Sequence, residues 1–334
     1  MLKYNIPMKA ITIKEFGGPE VLKLENVERP IPAPDEILVK VYASGVNPTD
    51  CNMRQGGNDV LRPFLKLPLI LGYDLAGIVE ETGSEVTNFK KGDAVYGVPN
   101  FPGNGSYAEY CAAKATQFAH KPKNISFNEA SGVPLAGLTA WTAIFEHGKL
   151  QPGQRILIQG ASGGVGSFAV QFAKAKGAYV IAIASAKNQD YLMQLGADEV
   201  IDYQNQNFED IVSDLDIVFE ASPLRDNGER IKSVKVIKER GIFVSVNIDL
   251  PFNDEVIDAL AKKHAIGELS ANQPKQEYLI KIAQLIDDGK VTVFISKLFP
   301  LDQVAEAHCE SETWHVRGKL VLEIRNTNED DDSI

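Results

Sequence analysis

The chain has 334 residues, of which 44% are hydrophobic and 24% charged, and this length and composition predict a globular protein of two domains. Its formal net charge of −11 at pH 7 argues against a nucleic-acid-binding surface, which would need clustered lysine and arginine. Part of the negative charge lies in the C-terminal run Glu329–Asp332, which we expect to belong to a solvated, disordered end.

The cysteines and the N-terminus bear on the cellular compartment. Cys51, Cys111 and Cys309 are far apart in the sequence, which argues against a disulfide framework and against a thiolate zinc cluster. The first residues lack the apolar core of a secretory signal, and no stretch approaches the length that spans a bilayer. We therefore expect a cytoplasmic protein with no membrane contact.

The first third of the chain has the pattern of short strands. Between Lys9 and Tyr110, polar and apolar residues alternate in runs such as Lys9–Phe16, Glu36–Val41 and Ala76–Glu80, and Gly, Pro and Asn separate these runs. This alternation predicts a small antiparallel β-barrel.

From about Ser131 the pattern changes to β-rich segments that alternate with helical ones, which indicates βαβ units and a parallel sheet. The strand candidates are Arg155–Gln159, Tyr179–Ala184, Glu199–Tyr203, Asp216–Ala221, Ile242–Ile248 and Ala265–Ser270. Six strands suit a complete doubly wound domain.

The C-terminal part returns to the first pattern. An amphipathic helix from about Lys275 to Asp288 precedes two strand-like runs, Val291–Phe299 and Lys319–Ile324. We therefore predict an α/β protein with a dinucleotide-binding domain over residues 131–272. Residues 1–130, completed by 273–334, form the barrel-like domain.

The sharpest local motif is a glycine-rich turn between a predicted strand and a predicted helix. Its candidate cofactor-binding residues are Gly160, Ser162, Gly163, Gly164, Val165 and Gly166. Backbone without Cβ allows a tight turn and close approach of a pyrophosphate, and the helix N-terminus offers free N–H groups. Such turns also occur without a ligand, but the order strand, turn, helix, strand favours dinucleotide binding.

The choice of dinucleotide depends on the residues after the second strand. An acid there would hold a ribose 2′-OH, whereas a basic residue would accept a 2′-phosphate. This chain has Ser185, Lys187 and Asn188, which offer a hydroxyl, an ammonium and an amide. NADP(H) is therefore predicted, although Lys187 as a solvated surface lysine is the alternative.

The motifs together resemble the medium-chain dehydrogenase/reductase superfamily, in particular its zinc-independent quinone oxidoreductase-like branch. Besides the glycine turn, the segments that carry the resemblance are Ala43–Asp50, Leu71–Gly77, Lys90–Tyr96, Ala136–Trp141, Leu195–Tyr203 and His315–Lys319. The resemblance implies a GroES-like antiparallel β-barrel catalytic domain and a doubly wound Rossmann cofactor domain. It also implies a homodimer in which the last Rossmann strand, about Ala265–Ser270, pairs with its counterpart.

The zinc alcohol dehydrogenases of this superfamily carry a cysteine and a histidine where this chain has Asn47 and Tyr73. Neither replacement is a credible zinc ligand, since zinc favours thiolate and imidazole donors. The four-cysteine lobe of the zinc enzymes is also missing from the sequence between Val98 and Tyr110. We therefore predict no metal.

The resemblance also assigns site residues. It places Asn47 nearest the nicotinamide or the substrate, Thr139 beside the nicotinamide, and Tyr73 as a donor to the substrate oxygen. The alternatives are a turn residue for Asn47, a helix cap for Thr139 and core packing for Tyr73. The set expected around the 2′-phosphate is Ser185, Lys187 and Tyr203, and Arg317 and Lys319 approach the cofactor from the barrel side unless they are simply solvated.

The expected activity is NADPH-dependent hydride transfer to quinones or α,β-unsaturated carbonyls, because a conjugated acceptor spreads the incoming charge without a Lewis acid. An enoyl-thioester reductase of the same superfamily is one alternative. A non-catalytic NADPH-binding regulatory protein is an alternative of another class. The sequence names neither the natural substrate nor the proton donor.

Overall fold

The computed structural model describes residues 7–325, so the acidic run Glu329–Asp332 lies outside the described residues. The chain divides into two compact units. The first comprises the described residues up to Leu135, then Pro274–Asp287, and the described residues from Val293 onward. The second comprises Ala136–Gln273 and Asp288–Thr292.

The first unit consists mostly of strands, whereas strands and helices alternate in most of the second. In chain order the strands are β1 (Pro7–Ile13), β2 (Lys23–Glu28), β3 (Glu36–Val46), β4 (Leu69–Ile70), β5 (Leu75–Thr82), β6 (Ala94–Gly97), β7 (Tyr110–Lys114), β8 (Phe118–His120), β9 (Arg155–Gln159), β10 (Tyr179–Ala184), β11 (Glu199–Asp202), β12 (Leu215–Glu220), β13 (Ile237–Ser245), β14 (Ile266–Leu269), β15 (Ile295–Pro300) and β16 (Lys319–Glu323). The α-helices are α1 (Pro48–Arg54), α2 (Phe127–Ser131), α3 (Pro134–Trp141), α4 (Gly164–Ala175), α5 (Gln189–Gln194), α6 (Asn227–Val236), α7 (Asp254–Lys262), α8 (Gln276–Asp287) and α9 (Val304–Glu312).

The first unit is built around the long strand β3, which pairs antiparallel with β5, β7 and β16. These strands belong to a sheet in the order β15-β16-β3-β5-β6-β8, with β7 on β3, while β2, β1 and β4 form a smaller sheet. Alternate residues of β3, namely Ile37, Val39 and Val41, are buried in one apolar cluster with Leu75 and Val79 of β5. This period of two is the one that the sequence displays.

The second unit contains a six-stranded parallel sheet in the order β11-β10-β9-β12-β13-β14. This is the doubly wound order, in which the chain reverses direction across the sheet between β9 and β12. The apolar helix positions Phe168, Ala169, Phe172 and Ala173 of α4 are buried, as their spacing predicts. The predicted fold class, a GroES-like barrel with a Rossmann-type sheet, is confirmed.

Strands β13 and β15 differ most from the bounds that the sequence predicts. Strand β13 ends at Ser245 and begins at Ile237, because it pairs with β12 before and after a register shift that the polar run Lys238–Arg240 conceals. Strand β15 begins at Ile295. Val291 and Thr292, at the start of the predicted strand, belong to the second unit, where Thr292 forms three hydrogen bonds of 2.7–3.1 Å with the side-chain amide of Gln171 on α4.

Over residues 7–325, none of the helices combines the length and the apolar character that a bilayer crossing requires.

Candidate functional site

The glycine turn after β9 is shaped by two positions that exclude any side chain. Gly160 has φ +69°, and a Cβ there would lie 2.6 Å from the carbonyl oxygen of Ala221. A Cβ on Gly166 would lie 2.2 Å from the carbonyl oxygen of Gly160. These two glycines therefore allow the turn itself and the close packing of α4 against it.

Gly163, between them, faces open space instead. A Cβ there would meet only the Gly160 carbonyl oxygen, at 3.5 Å. The residue directly precedes α4, whose first backbone N–H groups have no partner within the helix. Ser162, Gly163, Gly164 and Val165 are half-buried, whereas Gly166 is buried. The turn thus offers an uncovered cradle at a helix N-terminus, which fits the pyrophosphate of a dinucleotide.

Strand β10 ends beside this turn and carries the residues expected around a 2′-phosphate. Ser185 is buried, Lys187 is exposed, and the Tyr203 backbone N–H donates to the carbonyl of Ala184 at 3.3 Å. The fold therefore places Ser185, Lys187 and Tyr203 just after the carboxyl-terminal ends of β10 and β11, which are adjacent parallel strands. Their contact with a cofactor stays a prediction.

Sequence reasoning treated Asn188 only as a nearby amide. In the structure its side-chain nitrogen donates to the hydroxyls of Ser162 and Ser185, at 3.2 Å each. Ser162 belongs to the glycine turn and Ser185 follows β10, so Asn188 connects the two predicted binding segments. Ser162 lies 26 residues from Asn188 in the chain, so no local sequence pattern predicts this contact.

Asp202 is an acid at the end of β11, the strand that pairs with β10. One carboxylate oxygen accepts the backbone N–H groups of Ala186 and Gln204, both at 3.2 Å. The other accepts from the side-chain amide of Asn205 at 2.6 Å. Asp202 therefore anchors the loop backbone after β10.

In the first unit, Asn47, Asp74 and Lys319 form a buried polar cluster. The Lys319 ammonium donates to Asp74 Oδ2 at 3.1 Å, to the Val46 carbonyl at 3.2 Å and to Asn47 Oδ1. Asn47 Nδ2 donates to Asp74 Oδ2 at 2.8 Å, and Asp74 Oδ1 accepts the Leu135 backbone N–H at 2.6 Å. Because the Asn47 amide both accepts and donates within the cluster, its orientation is fixed.

This placement gives Lys319 a role that the sequence did not reveal. Its side chain is buried, and its three N–H donors are matched by three acceptors of the protein. The close packing depends on Gly45, where a Cβ would lie 2.5 Å from both Asp74 Oδ2 and the Ser131 carbonyl oxygen. The ammonium therefore stabilises Asp74 and orients Asn47.

Tyr73 is fully buried, and its hydroxyl donates to the carbonyl of Pro102 at 3.2 Å. Burial raises the pKa of this phenol further above its usual value, so the hydroxyl keeps its proton at neutral pH. A role as donor to a substrate oxygen stays a prediction, and it would require this hydrogen bond to break.

Asp50 is a buried acid that is hydrogen-bonded to Asn47 of this polar cluster. Its Oδ2 accepts the Asn47 backbone N–H at 2.7 Å and the Tyr107 hydroxyl at 3.1 Å, whereas Oδ1 is buried without a partner among the described residues. Burial raises the pKa of Asp50 to about 7. The Tyr107 hydroxyl also lies 3.2 Å from Nε2 of His308. The sequence analysis did not single out His308, because it lies 201 residues from Tyr107 in the chain.

The remaining predicted residues lie in separate units. Thr139 is half-buried on α3 in the second unit, and Arg317 is half-buried in the loop before β16 in the first. As for metals, residues 7–325 contain no group of three or more His, Cys, Asp or Glu side chains placed to hold an ion.

Two family descriptions match the chain. Residues 33–123 match the family described as "Alcohol dehydrogenase GroES-like domain", and residues 195–322 match "Zinc-binding dehydrogenase".

Full-length relatives are similar to the chain over nearly all of it. The NADPH-dependent alkenal/one oxidoreductase of Arabidopsis thaliana chloroplasts is 37% identical, over 94% of this chain and 79% of the relative. The mitochondrial NAD(P)H oxidoreductase RTN4IP1 of Homo sapiens is 33% identical, over 95% of this chain and 89% of the relative. The structure of the quinone oxidoreductase from Coxiella burnetii aligns with a TM-score of 0.87 at 36% identity, over 96% of this chain and 100% of that one.

Proposed function

Because the chain belongs to the quinone oxidoreductase-like branch of the medium-chain dehydrogenase/reductase superfamily, we propose that it is an NADPH-dependent reductase of quinones and α,β-unsaturated carbonyls. That it is an oxidoreductase with a nicotinamide cofactor follows from the family. The choice of NADPH, the acceptor class and the site residues are the proposal.

The observation that carries the proposal is the environment at the end of β10. Ser185 and Lys187 follow the strand where an NAD enzyme would carry an acid, and Ser162 joins Ser185 through Asn188. Two hydroxyls and an ammonium suit a phosphate, which accepts hydrogen bonds and carries negative charge. The acid on the neighbouring strand, Asp202, is occupied by loop donors.

The acceptor class is supported by the chemistry that the barrel unit offers. Bound NADPH supplies the hydride. Asn47, held by Lys319 and Asp74, has a second Nδ2 hydrogen that donates to none of the described residues. A fixed amide N–H stabilises negative charge that develops on an oxygen, and a conjugated acceptor places its charge on such an oxygen. The names of the relatives, alkenal/one oxidoreductase and quinone oxidoreductase, favour the same acceptors.

The test is a screen of NADPH oxidation by the purified protein against simple quinones, enals, enones and enoyl thioesters, with NADH in parallel. We expect activity with quinones or enones and a preference for NADPH. Activity confined to enoyl thioesters would favour an enoyl-thioester reductase. Tight NADPH binding without oxidation by any acceptor would favour a regulatory binder.

A further inference from the structure

Asn188 lies at a junction between the two segments of the Rossmann unit that we assign to cofactor phosphates. Its side chain is buried, and its Nδ2 group donates one hydrogen bond to Ser162 Oγ and one to Ser185 Oγ. An amide nitrogen has two hydrogens, so both are used by these serines.

The position makes this arrangement unusual. Asn188 directly precedes α5, a place where asparagine commonly accepts a backbone N–H of the first helical turn. Its side chain makes no such capping hydrogen bond here. The side-chain amide instead donates to Ser162 in the glycine turn, so it does not stabilise the N-terminus of α5.

The amide also decides what the two hydroxyls can do. Each serine oxygen accepts from Asn188, and neither hydroxyl donates a hydrogen bond to any of the residues that the structure describes. Each serine therefore keeps its own proton for another acceptor. Asn188 in this way holds two hydroxyl donors from separate segments close together. Such a pair of donors suits a phosphate, whose oxygens accept hydrogen bonds.

We propose that Asn188 is a specificity-determining residue for NADPH, which acts by turning the hydroxyl protons of Ser162 and Ser185 toward the 2′-phosphate of the bound cofactor. The inference rests on the proposed function, since it presupposes the 2′-phosphate. It adds a residue that contributes through its neighbours and gives Ser162 a second role beyond the glycine turn.

The test uses two probes that differ only in the 2′-phosphate, adenosine 2′,5′-bisphosphate and AMP, with affinities measured by calorimetry. The wild-type protein should bind the bisphosphate at least tenfold more tightly. In Asn188→Ala this ratio should fall about tenfold, with the AMP affinity nearly unchanged. Asn188→Asp should lose more, because a carboxylate only accepts and would draw both hydroxyl protons to itself.

The matched control is Asn207→Ala, an exposed asparagine of the same unit whose side chain donates to Asp210 at 3.2 Å. It should leave both affinities unchanged. The double variant Ser162→Ala/Ser185→Ala tests the same claim with Asn188 intact and should show the same loss. Adding Asn188→Ala to that double variant should have no further effect on the ratio.

The failures are distinguishable. If the wild-type protein binds both probes equally, the proposed preference for NADPH is wrong and the inference falls with it. If the wild-type protein discriminates but Asn188→Ala weakens both probes alike, Asn188 has a purely structural role and only the inference is overturned. A further loss of the ratio on adding Asn188→Ala to the serine double variant would also overturn it.

Discussion

The guanidinium of Arg54 donates a hydrogen bond to Nδ1 of His308 over 3.0 Å, although both side chains are buried in the barrel unit. An arginine cannot accept, so Nδ1 is the acceptor and the ring proton is on Nε2, which faces the Tyr107 hydroxyl at 3.2 Å. Burial and the Arg54 charge lower the pKa of His308 to about 3. The histidine is therefore neutral, and it orients the Tyr107 hydroxyl toward Asp50.

His308 and Asp50 should affect the pH dependence of stability in opposite directions. Between about pH 3 and 6.5 the unfolded chain binds a proton at His308 that the folded chain does not, so this contribution is lost as the pH falls. Between about pH 4 and 7 the folded chain keeps a proton on Asp50 that the unfolded chain loses, so this contribution is lost as the pH rises. The two slopes, each about 1.4 kcal/mol per pH unit, should largely cancel between pH 4 and 6.5.

Single variants should separate the two slopes in urea denaturation at pH 4.5 and 6.0. Relative to the wild-type protein, Asp50→Asn should gain about 2 kcal/mol of unfolding free energy on going from pH 4.5 to 6.0, and His308→Gln should lose about 2 kcal/mol. All other titrating groups are shared and drop out of the comparison. Variants that simply run parallel to the wild-type protein would contradict the shifted pKa values.

The second prediction concerns Lys187. If its ammonium contacts the 2′-phosphate, Lys187→Ala should lower NADPH affinity about tenfold to a hundredfold and leave NADH affinity nearly unchanged, because only NADPH carries that charge. Cofactor fluorescence titration measures both. The matched control is Lys176→Ala, an exposed lysine at the far end of α4. Equal affinities of the wild-type protein for the two cofactors would contradict the prediction.

The third prediction concerns zinc. Asn47 is hydrogen-bonded to Asp74 and Lys319, and the Tyr73 hydroxyl donates to Pro102, so both candidate ligand positions of this chain have protein partners. Purified protein should contain no stoichiometric zinc by mass spectrometric metal analysis, and chelators should not change its activity. One tightly held zinc per chain, lost together with activity, would refute this prediction.

The fourth prediction concerns assembly. Within the described sheet, β14 (Ile266–Leu269) is an edge strand that pairs only with β13, and Ile266 is 45% exposed. Unpaired strand edges favour pairing with another chain, so we expect a homodimer in which two β14 strands meet. Light scattering should give twice the chain mass of 36.5 kDa, and Ile266→Lys should shift the equilibrium toward the monomer. A monomer at all accessible concentrations would exclude this assembly.

The sequence predicted most of the cofactor unit because its signals are local. Strands β9 and β10 coincide with the predicted runs Arg155–Gln159 and Tyr179–Ala184. Each run contains a continuous apolar stretch, and a turn follows each strand. Strand β13 was misplaced because a register shift and the polar run Lys238–Arg240 interrupt its pattern.

The site was harder to predict because its contacts join distant segments. Lys319 is 272 residues from Asn47, and His308 is 254 residues from Arg54. Periodicity indicates which face of an element is buried, but it does not indicate which polar side chain meets another in the interior. A lysine in a charged loop is usually solvated, and only the antiparallel pairing of β16 with β3 brings Lys319 to Asn47 and Asp74.

The last prediction concerns the chemistry of Asn47. In Asn47→Leu the ion pair between Lys319 and Asp74, 3.1 Å apart, keeps both buried charges partnered, so the protein should still fold and bind NADPH. If the amide donates to the substrate oxygen, the variant should lose up to about 3–4 kcal/mol of transition-state stabilisation. Its turnover with quinones or enones should fall accordingly.

Tyr73→Phe is the companion variant, and it should cost little turnover if the hydroxyl serves only Pro102. Steady-state kinetics and NADPH titration of both variants separate a loss of turnover from a loss of binding. Simple alcohols should remain unoxidised, since an alcohol must lose its hydroxyl proton as hydride leaves and zinc assists that step in the related dehydrogenases. Rapid oxidation of such alcohols by metal-free protein, with no reduction of any quinone, enal or enone, would overturn this mechanism.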